Sequence, residues 1–143
     1  MHPLRVGLVA SLLLVFGCAN VNKNSTDDSA GEQSRVVHSR VVHVVLCWLK
    51  TPGDPIAQQK LIDESRSFVG EIPGLISVSA GRALPSTRPA VDSSFDVAVV
   101  MTFTDANALA NYEKNPRHQQ AVREILRPLT AKLIIYDFID QPK

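Results

Sequence analysis

Two histidines occupy a repeated four-residue motif near the end of the first third of the chain. Arg35–His38 and Arg40–His43 both read R-V-V-H, so the two imidazoles are five positions apart. Imidazole changes its charge near neutral pH, which suits either residue to proton transfer. Side chains alternate between the faces of a β-strand, so an odd offset directs His38 and His43 to opposite faces. We expect at most one of them to reach a given pocket.

A further histidine, His118, follows the pair Asn115-Pro116 in the stretch YEKNPRH. Asparagine is a favourable N-cap and proline a favourable first helical residue, so His118 is predicted to lie in a first helical turn. The positive end of the helix dipole disfavours imidazolium there, and we expect a neutral imidazole that can accept a proton. A structural alternative is that His118 donates to the backbone or to Asp137.

The elements that must position these residues follow the order β-α-β-β-α-β, with a broken second helix. The predicted elements are a strand over Val41–Leu49, a helix from Pro55 to about Ile72, strands over Leu75–Leu84 and Phe95–Thr104, a helix through Tyr112, a second helical segment from Pro116 and a strand over Lys132–Ile139. This order predicts an α+β, ferredoxin-like fold, with an antiparallel sheet and both helices on one face.

The first and last strands are antiparallel neighbours in this topology, so the start of one meets the end of the other. His43 stands near the start of the first strand and Asp137 near the end of the last. We expect a pair in which the carboxylate fixes the tautomer of the imidazole. Of the two histidines in the repeated motif, His43 would then be the one that serves a site, and His38 would precede the sheet. The alternative is that His43 and Asp137 form a buried hydrogen-bonded pair without chemistry.

The opposite face of the sheet is predicted to be apolar and bare. The side chains that share it are Val44, Leu46, Trp48, Ile134, Tyr136 and Phe138. Such a patch is too large for a monomer to leave in water. We expect a second copy to cover it, sheet against sheet, in a two-fold homodimer.

The N-terminal region has the composition of an export signal. A positive start and a short apolar run end at Gly17-Cys18, which resembles the lipobox of bacterial lipoproteins. Residues 1–17 are predicted to be a signal peptide, and residues 18–37 a lipidated Cys18 with a polar tether. The folded domain would span residues 38–140, anchored in the bacterial cell envelope. Ala19 favours the outer membrane; an ordinary signal peptide with an incidental cysteine is the alternative.

Composition excludes several classes of function. The chain has 143 residues, 15 basic and 14 acidic side chains, and a formal net charge of +1, so it offers no basic surface for nucleic acid. Its two cysteines, Cys18 and Cys47, cannot form a disulfide framework, and no zinc-type spacing of ligands occurs. We expect no metal site.

Five segments together resemble the Dabb family, the stress-responsive A/B barrel domain, over about Val41 to Asp140. These segments are HVVLCWLK, EIPGLISVSAG, FDVAVVMTF, NALANYEKNPRHQQAV and IIYDF. The resemblance implies a dimeric α+β barrel, and most members have no known activity.

One branch, plant polyketide cyclases of the olivetolic acid cyclase type, is similar over the same span. That similarity implies a cofactor-free aldol condensation in which His118 and Tyr112 are catalytic and His43 and Asp137 support the pocket. Tyr112 could instead be a core or rim residue.

The first helix departs from the cyclase pattern. Where the cyclase has pocket aromatics, this chain has Leu61, Ile62 and Ser65, with Arg66 beside them. A long aromatic polyketide would lose stacking surface, and Arg66 would favour an anion if it turned inward; otherwise it is solvated, as we expect of Arg117.

Three functions therefore stay open. The first is a membrane-tethered, non-catalytic Dabb dimer that serves in stress or holds a small ligand. The second is a cyclase-like or lyase-like enzyme that acts on a small keto or phenolic acid. The third is a monooxygenase-like enzyme.

Overall fold

The computed structural model describes residues 39–141, in which a four-stranded antiparallel sheet carries its helices on one face. The elements are β1 (Val41–Leu49), α1 (Pro55–Ser67), β2 (Leu75–Arg82), β3 (Val97–Phe103), α2 (Ala106–Lys114), α3 (Pro116–Ala121), a π-helical segment (Val122–Leu126), α4 (Arg127–Leu129) and β4 (Thr130–Ile139). The predicted lipidation site Cys18, the signal peptide, the tether and His38 lie outside the described residues.

The strands are ordered β2-β3-β1-β4, which confirms the ferredoxin-like α+β fold. Strand β1 is central and pairs with β3 on one side and β4 on the other, both antiparallel. The register places His43 directly opposite Asp137 on β4 and opposite Met101 on β3. The first and last strands are therefore neighbours, as the topology predicts.

Helix α1 begins where the sequence predicts and ends earlier. The Asp54 side chain accepts hydrogen bonds from the backbone N–H groups of Ile56 and Ala57, and Pro55 opens the helix. The helix stops at Ser67 instead of continuing to about Ile72, and the chain passes through Gly70, whose φ of 86° suits glycine. Burial of Phe68 and Ile72 against the sheet produces the helix-like spacing of apolar residues after the helix has ended.

The segment after α3 is π-helical, which the apolar spacing does not predict. The backbone N–H of Arg127 donates to the carbonyl of Val122, five residues earlier. Pro128 has no N–H to donate to the carbonyl of Glu124, and its ring would crowd that carbonyl in a regular α-helix. A widened turn before Pro128 relieves that conflict, and such turns are frequent at functional sites.

The core lies between the sheet and the helices, and β1 shows a strict alternation. Its odd-numbered residues from Val41 to Leu49 are buried, whereas its even-numbered residues are half-buried on the other face. Among the described residues, no helix is long and apolar enough to cross a membrane.

Candidate functional site

A cavity of about 50 Å³ lies between the sheet and the helices. Its walls are almost entirely apolar side chains from β1, β3, α1 and the segment after α2. The lining residues with chemical function are Tyr112, His118 and Glu64, and apolar ones include Val45, Phe68, Met101 and Ile125. This space holds about three or four waters, or one small organic molecule.

Tyr112 and His118 lie side by side on the cavity wall. Their ring centroids are 4.0 Å apart and their planes are tilted by 34°. The break between α2 and α3 creates this contact: the Asn115 N–H donates to the Tyr112 carbonyl, and the Asn115 side chain caps α3 by accepting from the Arg117 N–H. Pro116 then opens α3, so the two helical segments present their side chains to the same space.

Tyr112 is a protonated hydrogen-bond donor at neutral pH. Burial raises its pKa above the ordinary value, and the negative charge of Glu113 adds to the effect. No hydrogen bond to another described residue holds its hydroxyl, whereas every fully enclosed side-chain polar atom in residues 39–141 has a partner. The hydroxyl oxygen is therefore not fully enclosed, and Tyr112 lines the cavity, so a ligand there can accept its hydrogen bond.

His118 is a neutral base on the same wall. Burial lowers its pKa below the ordinary 6.5 and the charge of His43 lowers it further, while contact with Glu113 opposes the shift. Its Nδ1 lies 3.4 Å from the carbonyl oxygen of Glu113, and because a carbonyl only accepts, Nδ1 carries the proton in that contact. Nε2 is then the basic nitrogen. In the structure, the main reason that the His118 imidazole is neutral is therefore burial, whereas the sequence pointed to the helix dipole.

His43 and Asp137 form a pair behind Tyr112. The His43 Nδ1 lies 2.6 Å from the Asp137 Oδ1, with the imidazole buried and the carboxylate 45% exposed. The His43 ring meets the Tyr112 ring edge to face at 5.9 Å between centroids. His43 is not among the residues that line the cavity, so it contacts the site through Tyr112.

The structure places Arg66 outside the cavity. Its side chain is exposed on α1, and its Nη2 donates to the Ala80 carbonyl on β2 at 2.9 Å. The structure therefore does not support the prediction that Arg66 belongs to the pocket. The side chains that line the cavity from this part of the chain include Leu61 and Phe68.

Arg117, expected to be solvated, is instead held by ion pairs. Its Nη1 contacts Glu64, its Nε donates to Glu71 Oε2 at 2.7 Å, and its Nη2 donates to Ser67 Oγ at 2.8 Å. The hydrogen bonds that Arg117 donates to Glu64 and Glu71 hold the pKa of its guanidinium above the ordinary value. These contacts join α3 to the end of α1.

Glu64 is the site residue that the sequence interpretation missed. A signal for it exists: Leu61 and Glu64 in α1 and Phe68 directly after the helix recur at helical spacing. All three line the cavity. A charged residue inside an otherwise apolar helical stripe is the pattern that would have identified it.

No group of three metal-binding side chains comes together within residues 39–141. Cys47 lines the cavity but is only 1% exposed. Burial raises its pKa to about 12, with the Asp96 carboxylate adding to the effect, so the thiol is protonated and unreactive at neutral pH.

Solved structures with the same fold span the described domain. A Dabb family protein with a ferredoxin-like fold from Mesorhizobium loti has 20% identity and a TM-score of 0.59, covering 73% of this chain and 99% of its own. A dimeric ferredoxin-like protein of unknown function from Thermobifida fusca has 21% identity and a TM-score of 0.57, covering 71% and 91%. A hydroxynitrile lyase from Passiflora edulis has 18% identity and a TM-score of 0.60, covering 74% and 97%.

At these identities the structural matches show a shared fold. No curated protein sequence matches the chain at a significant level. The profile of the stress responsive A/B barrel domain, however, matches residues 41–140, which is most of the chain and all four strands. The chain therefore belongs to the Dabb family.

Proposed function

We propose that the protein binds a small carbonyl compound in the cavity and transfers a proton on it without a cofactor. The observation that carries the proposal is the contact between Tyr112 and His118, whose pKa values burial drives in opposite directions. Two neighbouring titratable groups held in opposite roles, one donor and one base, are what acid–base catalysis requires.

The chemistry follows from these two groups. The Nε2 of His118 takes a proton from the carbon next to the carbonyl, and the electron pair moves onto the carbonyl oxygen. The Tyr112 hydroxyl donates a hydrogen bond to that developing oxyanion, which is worth more in an apolar, water-poor space than in water. The proton then returns from His118, so the step is balanced within the two side chains and the ligand.

The size and lining of the cavity support a small substrate. About 50 Å³ with apolar walls suits a compound of a few carbon atoms better than a long polyketide. One solved structure of the same fold is a hydroxynitrile lyase, which supports an enzymatic role for this fold without fixing the substrate here.

Imidazole signals in NMR test the binding step. Small ketones added to the full chain, purified in mild detergent, should shift the His118 signals and, more weakly, those of His43 behind Tyr112. His38 serves as the internal control and should not respond. Tyr112→Phe should weaken the response, because it removes only the hydroxyl donor. A panel of small ketones that moves neither His118 nor His43 would refute the proposal.

The proposed molecule is also a homodimer that is tethered to a membrane. Support for the dimer comes from the bare apolar face of the sheet and from the dimeric structure from Thermobifida fusca with the same fold.

Support for the tether comes from the lipobox-like Gly17-Cys18 and the polar residues 18–37. Detergent partitioning of the wild type against Cys18→Ser tests the anchor, and equal recovery of both in the aqueous phase would exclude it.

A further inference from the structure

Two side chains, Glu64 and Ile125, border the interior cavity and also two clefts on the outer surface. The first cleft runs along α1 and includes Lys60 and Arg82; the second lies at α3 and includes Arg117. A residue that borders both inner and outer spaces forms the wall between them. Glu64 of α1 and Ile125 of the π-helical segment therefore stand in the wall that separates the cavity from both clefts.

The carboxylate of Glu64 is fixed within this wall. It pairs with the Nη1 of Arg117, which also binds Glu71 and Ser67 and lies over the Phe68 ring at 5.0 Å from the ring centroid. The Glu64 side chain is 20% exposed, whereas that of Glu71 is 51% exposed. One guanidinium thus faces two carboxylates, and of the two only Glu64 lines the cavity.

No positively charged side chain faces the Glu64 carboxylate from the cavity lining. Within the described part of the chain, the lining contains no lysine or arginine, and Glu64 is its one carboxylate. Arg66 is bound to the Ala80 carbonyl, and Arg117 borders only the outer cleft. A ligand anion in the cavity would lie beside the Glu64 carboxylate, in a space that offers it no cation.

We propose that Glu64 determines specificity, its carboxylate excluding anions so that the cavity takes uncharged carbonyl compounds. This inference rests on the proposed function and names its substrate class. A cation is disfavoured as well, because the walls are otherwise apolar and burying its charge there is costly. Keto and phenolic acids, which the sequence leaves open as substrates, are thereby excluded.

Butanone and propionate test this inference, because they have the same number of non-hydrogen atoms and differ in charge. Each is titrated into the full chain while the His118 imidazole is followed by NMR. Butanone should bind the wild type at least about tenfold more tightly than propionate, the scale of repulsion between two carboxylates a few ångströms apart at a protein surface. In Glu64→Gln, which keeps the shape of the side chain, the binding of propionate should gain about tenfold relative to that of butanone.

Glu71→Gln is the matched control. It removes the second carboxylate that Arg117 binds, and Glu71 does not line the cavity. It should keep the wild-type preference for butanone. Equal binding of butanone and propionate to the wild type would overturn the specificity inference while leaving the proposed function intact, and this result needs no variant to fold. A gain of propionate binding in Glu71→Gln as large as that in Glu64→Gln would also overturn it. A wild type that binds neither compound would refute the proposed function and this inference together.

Discussion

On the helix-covered face of β1, the side chains of His43, Val45 and Cys47 are buried, whereas those of Val44, Leu46 and Trp48 on the other face remain partly exposed. The covered face carries the cavity and the titratable groups. The bare face continues onto β4, where Tyr136 is 57% and Phe138 is 51% exposed. The alternation of side chains along one strand thus places the proposed chemistry on one face of the sheet and the proposed association on the other.

Trp48 differs from the rest of the bare face. Its indole N–H donates to the Ser94 hydroxyl at 3.1 Å, its ring meets Phe95 edge to face, and the Lys132 ammonium lies over it at 4.3 Å from the ring centroid. Trp48 is therefore already packed within one copy of the chain. The part of this face that most needs a partner is centred on Val44 and Leu46, with their neighbours on β4.

The largest expected effect comes from a charge on the bare face. Leu46→Glu would bury an unpaired carboxylate in the proposed sheet-to-sheet contact, at a cost of several kcal/mol. We expect the homodimer to dissociate or the protein to aggregate, as measured by light scattering at micromolar concentration. Leu84→Glu is the control, because Leu84 is 83% exposed outside the sheet and should leave the assembly unchanged. A dimer that survives Leu46→Glu would place the interface elsewhere.

Tyr112 separates packing from chemistry on the covered face. Tyr112→Ala should lower the free energy of unfolding by about 3–5 kcal/mol, because a buried ring between Phe68, Phe103 and His118 is lost. Tyr112→Phe should change it by less than about 0.5 kcal/mol, since the hydroxyl has no hydrogen-bond partner to lose among residues 39–141. Urea denaturation measures both. A large loss in Tyr112→Phe would show that the hydroxyl is structural and not available to a ligand.

Asp137→Asn should have a smaller effect on stability. The change weakens the hydrogen bond to buried His43 and should cost about 1 kcal/mol, because the carboxylate is about half exposed and screened by water. Asp63→Asn on the exposed side of α1 is the comparison and should cost less than about 0.5 kcal/mol. Equal costs for the two variants would mean that the His43–Asp137 pair contributes nothing to the fold.

The lowered pKa of His118 predicts a dependence of stability on pH. As the pH falls through the ordinary value of 6.5, the unfolded chain takes up a proton that native His118 does not bind until lower pH. The unfolded state then binds more protons, so the stability falls on acidification across that interval. His118→Gln should reduce this fall in thermal unfolding measured from about pH 8 to about pH 5. Identical pH profiles for the wild type and His118→Gln would contradict a depressed pKa of His118. Any contribution of His43 and Glu113 is present in both proteins and cancels in this comparison.

Much of the fold is predictable because it depends on local patterns. The alternation in β1, the cap at Asp54 and the break at Asn115-Pro116 are read from neighbouring residues, and topology then brings His43 to Asp137. The orientations of Arg66 and Arg117 are not predictable in this way. Each is set by partners distant in sequence, the Ala80 carbonyl for one and Glu64 with Glu71 for the other. The neutral state of His118 is predictable, but its main cause, burial, becomes visible only in the packed structure.

The central claim is that the Tyr112–His118 pair on the covered face transfers protons on a neutral ligand. Exchange of the protons next to the carbonyl of butanone for deuterium, followed by NMR in D2O at neutral pH, tests it most directly. We predict that the wild type accelerates the exchange above an equal concentration of free imidazole. His118→Gln should abolish the acceleration, and Tyr112→Phe should reduce it by about 10²–10³-fold, the usual loss for an oxyanion donor. A wild-type rate equal to that of free imidazole, or an acceleration that survives in His118→Gln, would contradict the account.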